Sequence, residues 1–252
     1  MSGNRAMQEL LEKHLMLFAP ETYLPRYIRT ARDIYQNRTL LRQLPSNQHT
    51  LNYLLDIIIK TVQEGIRFRT LDCLKVVKEL VKGRPPELVL PSDTVDKLFS
   101  LYQEFVFHRN EEVQWCVSWF IKSVVLSDDS VEWLISNYRR SEHLVNRLLD
   151  YPTRHPRIVE WAEDIWRSGE LRNRKSQVIG LLISDEIPAY VNERDNTSLI
   201  WAIYYARVPA ETKQKLLTEH YSPESIDAFL EVCRRLEYPS VIKSALDRLK
   251  QR

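Results

Sequence analysis

The chain has 252 residues, of which 44% are hydrophobic and 28% charged, and this balance excludes an intrinsically disordered protein. Its formal net charge of +2 is too small to predict nucleic-acid binding from charge alone, although a local basic surface is compatible with it. We find no signal peptide and no apolar run of membrane-spanning length, and we therefore expect a cytoplasmic protein without a membrane-bound part.

Apolar residues recur at helical spacing along the whole chain, and no segment has a convincing strand pattern. Prolines, glycines and capping residues separate the predicted helices. These helices cover residues 5–18, 26–37, 45–64, 67–81, 92–108, 111–126, 131–137, 141–150, 157–168, 171–184, 195–208, 209–220, 222–236 and 240–252. The clearest loop is residues 83–91, which contains three prolines, and it is the best candidate for a flexible joint.

One pattern organises these helices. Six of them place a small residue between two residues that are mostly apolar, at i−3 and i+4. The small residues are Ala31, Cys73, Cys116, Ala162, Ala202 and Ala245. They lie 40 to 46 residues apart, which is the period of stacked helical hairpins of the HEAT and armadillo kind. The sequence therefore predicts an all-α protein: a right-handed α-solenoid of about six HEAT-like hairpin repeats, formed by residues 1–252 as one array.

Tryptophan precedes the small residue in three consecutive repeats, at Trp115, Trp161 and Trp201. The interpretation that we favour is inter-repeat core, because large aromatic side chains mostly bury. The alternative is a partly exposed aromatic ridge that stacks on bases or grips a partner helix.

Basic residues occupy four of the six positions five residues after the small one: Lys78, Arg167, Arg207 and Lys250. Such a line could follow a phosphate backbone, and the run Arg172-Asn173-Arg174-Lys175 adds to it. The simpler interpretation, which we favour, is a solvated helix face with cations near helix ends, where the helix dipole stabilises them.

Signs of catalysis are weak. The six histidines show no metal-ligand spacing, and the chain has no HExxH, Walker A, GxSxG or GxGxxG motif, so we predict no metal site and no cofactor. Asp128 and Asp129 are adjacent, but a helix cap explains them. The cysteines Cys73, Cys116 and Cys233 are interpreted as core residues of a protein in a reducing compartment.

Two resemblances follow from particular segments. The segments HRNEEVQWC, from His108, and HPRIVEWA, from His155, resemble the second helix of HEAT repeats, and this pattern extends over nearly the whole chain. Residues 196–206, NTSLIWAIYYA, resemble a tryptophan-alanine helix in the α-helical repeat region that follows the polymerase in bacterial defence reverse transcriptases, including abortive-infection types. In that family the region packs on the polymerase, shapes oligomers and helps hold nucleic acid. Since residues 126–129, LSDD, lack the aromatic residue of the polymerase motif, the resemblance implies a non-catalytic part or relative.

The sequence thus predicts a non-catalytic scaffold that binds a protein partner on its concave face, which includes the prospect of a homo-oligomer, or binds nucleic acid. A phage-defence context follows only from the second resemblance. The alternative is a HEAT-fold DNA-binding protein or alkylation-repair DNA glycosylase, which shares the length, the repeat number and the use of tryptophans. That family's catalytic aspartate and its tryptophan-arginine helix signature match no position here.

Overall fold

The structure is a computed structural model, and it describes residues 11, 13–44, 47–64, 69–82, 90–122, 124–191 and 196–235. All regular elements in these ranges are helices, which confirms the predicted all-α class. Residues 83–89 of the predicted loop lie outside the described residues. So does the last predicted repeat, which contains Ala245 and Lys250. None of the described helices is both long and apolar enough to cross a membrane.

The helices are numbered here in chain order, without the three short 3₁₀ turns at Tyr138–Arg140, Arg172–Arg174 and Ala189–Val191. They are α1 Pro20–Tyr27, α2 Ala31–Gln36, α3 Arg38–Leu41, α4 Gln48–Gln63, α5 Thr70–Lys82, α6 Ser92–Phe105, α7 Glu111–Phe120, α8 Asp128–Asn137, α9 Glu142–Leu149, α10 Pro156–Ser168, α11 Lys175–Leu182, α12 Asn196–Tyr205, α13 Ala210–His220 and α14 Pro223–Arg235. The helix predicted over 111–126 ends at Phe120, and the described residues between Ile121 and Ser127 are not helical.

Polar side chains mark several helix starts. Thr30 and Asp33 form a reciprocal capping box at α2. The Asn47 side chain accepts a hydrogen bond from the Thr50 N–H at 2.8 Å and so caps α4. Ser127 caps α8 through the Ser130 N–H, as the sequence predicts for the segment with Asp128 and Asp129.

The chain divides into two compact units, Met1–Asp150 and Tyr151–Arg252, called unit 1 and unit 2 below. The division falls at the turn before α10. The prediction of a single array with a joint at 83–91 stays a prediction.

Unit 1 is built from pairs of neighbouring helices that pack against the next pair. Helix α4 packs against α1 and α6, while α5 packs against α2 and α7, and the pairs α4–α5 and α6–α7 also pack together. The repeated small residues face this packing: Ala31, Cys73 and Cys116 are at most 5% exposed. The Cys73 thiol lies 3.4 Å from the Ala31 carbonyl oxygen, so two successive repeat positions are in direct contact.

Unit 2 is centred on α11, which packs against both α10 and α12. The repeat residues Ala162 and Ala202 are fully buried. A Cβ atom on Gly180 of α11 would lie 2.9 Å from the Ala202 carbonyl oxygen and 2.8 Å from Tyr205 Cβ. The close approach of α11 and α12 therefore depends on a glycine in α11, which the repeat pattern does not mark.

Candidate partner-binding surface

The three tryptophans of the repeat pattern lie in different environments. Trp115 is 65% exposed, which makes it the most exposed tryptophan among the described residues, whereas Trp161 is 5% exposed and belongs to the core of unit 2. Trp201 is partly buried. Exposure therefore singles out Trp115 as the one of the three that offers a large apolar surface to a partner.

Trp115 projects from α7 towards α9. Its indole ring contacts the ring of His143 edge-on, with centroids 5.2 Å apart and an interplanar angle of 88°. Trp119 lies one helical turn further along α7 and is half-buried. The ammonium nitrogen of Lys78, on α5, lies over the Trp119 ring at 5.5 Å from its centroid. We call these four residues, Lys78, Trp115, Trp119 and His143, the Trp115 surface.

The charges around the Trp115 surface are mixed. Lys75 of α5 forms an ion pair with Glu112 of α7 at 3.8 Å, and both side chains are well exposed. An exposed pair of this kind contributes at most about 1 kcal/mol to stability. The neighbourhood therefore offers two indole rings, of a residue type enriched at protein interfaces, within a surface of mixed charge rather than a uniformly basic groove.

The buried thiols of Cys73 and Cys116 in unit 1 are unsuited to nucleophilic chemistry. Burial raises the pKa of Cys116 to about 11, although the nearby cations Lys78 and Lys75 oppose the shift. Burial, with a smaller contribution from the Asp72 charge, raises the pKa of Cys73 to about 12. A cysteine nucleophile reacts as the thiolate, and both groups are protonated at neutral pH. Their packing fits the predicted core role, while the Cys233 side chain lies outside the described residues.

Trp201 packs between α12 and α14 in unit 2. Its ring meets Phe229 edge-on at 4.9 Å between centroids and stacks near Tyr205 at 6.2 Å. Ile226 of α14 is buried at the centre of the same cluster, against which Trp201 and Tyr204 pack. These contacts join α12 to α14, which is the structural role that aromatic side chains most often have.

The basic residues of the predicted line make different contacts in the structure. Arg207 donates from Nε to the Tyr151 carbonyl at 2.7 Å and from Nη1 to the Tyr205 carbonyl at 3.0 Å, so its guanidinium is engaged with the backbone. Arg167 forms a surface ion pair with Glu163 at 3.0 Å. Lys78 belongs to the Trp115 surface. Lys250 lies outside the described residues.

The run Arg172 to Lys175 forms a 3₁₀ turn followed by the start of α11. The Lys175 ammonium lies over the Trp166 ring, 5.6 Å from its centroid. Both residues line a pocket of about 400 Å³, together with Leu171 and Gly169. Gly169 ends α10 in the left-handed conformation at φ +70°, which a glycine adopts without strain.

In the part of the chain that the structure describes, no group of three or more His, Cys, Asp and Glu side chains is placed so that it could hold a metal ion. Asp128 and Asp129 are exposed in the first turn of α8. Carboxylates at that position are stabilised by the helix dipole, which agrees with their interpretation as part of a cap.

Sequence reasoning identified Lys78 and Trp115 but not the other two residues of this surface. Trp119 carries a recognisable signal, since it is four residues after Trp115 and therefore on the same helix face. His143 carries none, because its contact with Trp115 depends on how α9 packs against α7. Comparisons with protein-family models, with curated proteins and with solved structures found no match to this chain.

Proposed function

We propose that the protein is a non-catalytic helical-repeat scaffold of the HEAT-like kind, and that it binds a protein partner through the Trp115 surface. The observation that carries this proposal is the 65% exposure of Trp115 on a layer of packed helices. Tryptophan is among the residues most enriched at the energetic centres of protein interfaces, because its large ring loses much water-accessible area on binding.

The packing of unit 1 supports the scaffold part of the proposal. The helices that carry the repeat, α2, α5 and α7, pack in succession, and their partners α1, α4 and α6 do the same. In a stacked array of this kind, side chains from successive repeats line one continuous surface. Lys78 on α5 and Trp119 on α7 illustrate this, since they come from successive repeats and the Lys78 ammonium lies over the Trp119 ring.

The contacts that the basic residues already make favour a protein partner over nucleic acid. A phosphate-tracking groove needs several cations directed to solvent, and Arg207 is committed to two backbone carbonyls. The mixed charges next to Trp115 would repel a uniformly negative ligand at Glu112 as much as Lys75 attracts it. Nucleic acid remains the second candidate because Lys78 with Trp119 and Lys175 with Trp166 each place a cation beside an indole ring, a combination that also suits bases and phosphates.

The partner class is tested by a photo-crosslinking amino acid introduced at position 115 in cells that make the protein. We expect a reproducible adduct with one protein, which includes a second copy of this chain as an outcome. The matched control places the same crosslinker at Asp129, which is exposed on α8 of the same unit. Equal capture from both positions, or no adduct from position 115, would contradict the proposal.

The nucleic-acid candidate is tested by tryptophan fluorescence during titration with short single- and double-stranded DNA and RNA at low and moderate salt. For a protein-binding scaffold we expect no saturable quenching. Quenching that saturates and weakens with salt would instead favour nucleic acid. Release of bases from alkylated DNA in a parallel assay would be required for the glycosylase alternative.

The defence reverse-transcriptase context is a separate part of the proposal. It rests on the resemblance of residues 196–206, which lie mostly in α12. A polymerase partner would be indicated if the adduct formed from position 115 were a reverse transcriptase. An adduct with an unrelated protein would remove this context and leave the scaffold function in place.

A further inference from the structure

A pocket in unit 1 shares no residue with the Trp115 surface. It lies between the start of α2 and the C-terminal half of α4 and has a volume of about 420 Å³. Small-molecule sites in proteins commonly have volumes of about 300–1,000 Å³, so the space suits a ligand of nucleotide size. The lining residues are Arg29, Thr30, Ala31, Arg32, Ile57, Lys60, Thr61 and Glu64.

Positive charge dominates this lining. Arg29, Arg32 and Lys60 are cations, and Glu64 is the one carboxylate among the lining residues, which leaves an excess of two positive charges. Within the described residues, neither Arg32 nor Lys60 forms an ion pair or a side-chain hydrogen bond, and both are exposed. Arg29 uses only Nε, which donates to the Pro25 carbonyl at 3.3 Å, and this leaves its terminal nitrogens for a ligand.

The nearest other carboxylate is already engaged. Asp33 Oδ2 accepts hydrogen bonds from the backbone N–H groups of Arg29 and Thr30, at 3.0 and 2.9 Å, and from the Thr30 hydroxyl at 2.9 Å. Its negative charge therefore stabilises the start of α2, and it does not form a salt bridge with any of the three cations. The donors to Asp33 are neutral, so its charge still lies beside the pocket, but none of the three cations is held in an ion pair with it.

The remaining lining limits the chemistry of the ligand. The hydroxyl of Thr61 donates to the Ile57 carbonyl at 2.7 Å and that of Thr30 donates to Asp33, so both can only accept a further hydrogen bond. Ile57 and Ala31 supply an apolar floor and are at most 9% exposed. Donation to an anion thus comes from the guanidinium and ammonium groups.

We propose that this pocket, which we call the Arg32 pocket, binds a phosphate ester of nucleotide size through Arg29, Arg32 and Lys60. The excess of two positive charges matches the dianion of a phosphate group rather than a single carboxylate. Arginine presents a planar fork that bonds two oxygens of one phosphate, and lysine adds a point charge. The same chemistry could be met by a free nucleotide or by a phosphate of a nucleic-acid backbone, and the pocket volume favours the free nucleotide.

The test is isothermal titration calorimetry of the full chain with ADP, with pyrophosphate and with a short single-stranded DNA, at low and moderate salt. We expect saturable binding of ADP and pyrophosphate that weakens with salt. The double variant Arg32→Gln/Lys60→Gln should weaken this binding by at least about tenfold, since each removed cation loses charge-assisted hydrogen bonds. Lys60→Arg should largely retain it.

The matched control is Arg109→Gln/Lys82→Gln, which removes the same charge from exposed positions of unit 1 outside the pocket. It should leave binding within about twofold, because surface charges at a distance are screened. All variants change exposed side chains, and an unchanged circular-dichroism spectrum and melting temperature verify that they fold. Equal weakening by both double variants would overturn the proposal in favour of non-specific charge. So would the absence of ADP and pyrophosphate binding at millimolar concentration, or binding of the DNA alone.

Discussion

Trp115 in unit 1 and Trp161 in unit 2 occupy the same position of the repeat pattern, yet one side chain is 65% exposed and the other 5%. The packing of the helices around these two residues also differs between the units. In unit 1 the repeat helices α2, α5 and α7 pack on one another in succession, whereas in unit 2 the repeat helices α10 and α12 both pack on α11. Equal sequence patterns thus produced equal secondary structure but unequal surroundings for the residue beside the small position.

The comparison also separates a structural side chain from one that is free to take part in binding. A buried tryptophan contributes to stability through the area that it removes from water, while an exposed one contributes little to stability and keeps its area for a partner. Of the four predictions below, the three sets of substitutions come first, ordered from the largest expected effect on stability to the smallest, and the pH dependence follows.

Replacing each tryptophan by alanine should give the largest contrast. Trp161→Ala should lower the free energy of unfolding by about 3–5 kcal/mol, because it leaves a large cavity in the core of unit 2. Trp115→Ala should change it by less than about 0.5 kcal/mol. Urea unfolding followed by circular dichroism measures both. Similar losses for the two variants would mean that Trp115 is part of the core.

The two arginines at the same repeat position in unit 2 should differ next. Arg207→Ala should cost about 1.5–3 kcal/mol, since it removes a charged donor from the Tyr151 and Tyr205 carbonyls. Arg167→Ala breaks only surface ion pairs, with Glu163 at 3.0 Å and with Asp164 at 4.0 Å, and an exposed pair of this kind is worth about 0.2–1 kcal/mol. The midpoint of urea unfolding is the measurement. If Arg167→Ala were the more damaging variant, the structural assignment of Arg207 would fail.

The close approach of α11 and α12 should be sensitive to one methyl group. Gly180→Ala should destabilise the protein by about 1–3 kcal/mol despite the better helix propensity of alanine, because the added Cβ would lie 2.8 Å from Tyr205 Cβ and 2.9 Å from the Ala202 carbonyl oxygen. Thermal unfolding measures the effect.

The control for this prediction is Gly169, where the nearest atoms to an added Cβ, on Arg172, are 3.7 Å away and the constraint is a φ of +70°. Gly169→Asn should be nearly neutral, since asparagine tolerates the left-handed conformation. Gly180→Asn should be at least as harmful as Gly180→Ala. A neutral Gly180→Ala would show that the two helices can separate without loss.

The buried thiols of unit 1 predict a dependence of stability on alkaline pH. Burial raises the pKa of Cys73 to about 12 and that of Cys116 to about 11, from an ordinary value of 9.0. Above pH 9 the unfolded chain therefore releases thiol protons that the folded chain retains, and the unfolding free energy should fall until the pH reaches the folded-state pKa values. The slope is at most about 1.4 kcal/mol per pH unit for each thiol.

Unfolding in urea at several pH values between 9 and 11 measures this slope. The variant Cys73→Ala/Cys116→Ala should give a shallower dependence. The buried hydroxyl of Tyr102, whose pKa is also raised by burial, contributes above pH 10 and should remain in that variant. An identical slope with and without the two thiols would show that they ionise equally in the folded and unfolded chains.

Much of the local structure could be predicted from the amino-acid sequence. Apolar spacing and capping residues predict the helical class and the approximate helix positions, because a helix start such as Asn110 before α7 is decided by hydrogen bonds within a few residues. The burial of Ala31, Cys73, Cys116, Ala162 and Ala202 follows from their place between apolar neighbours on one helix face.

Only the tertiary structure decided which residues of the repeat pattern meet solvent. Whether a tryptophan is buried depends on a second helix that is distant in sequence, as with His143 of α9 beside Trp115. The same is true of the Arg32 pocket, whose cations come from α4 and from the start of α2, and of Gly180, whose close contacts are all with α12. Periodicity fixes the face of a helix on which a residue lies, whereas its exposure depends on the helix that packs over that face.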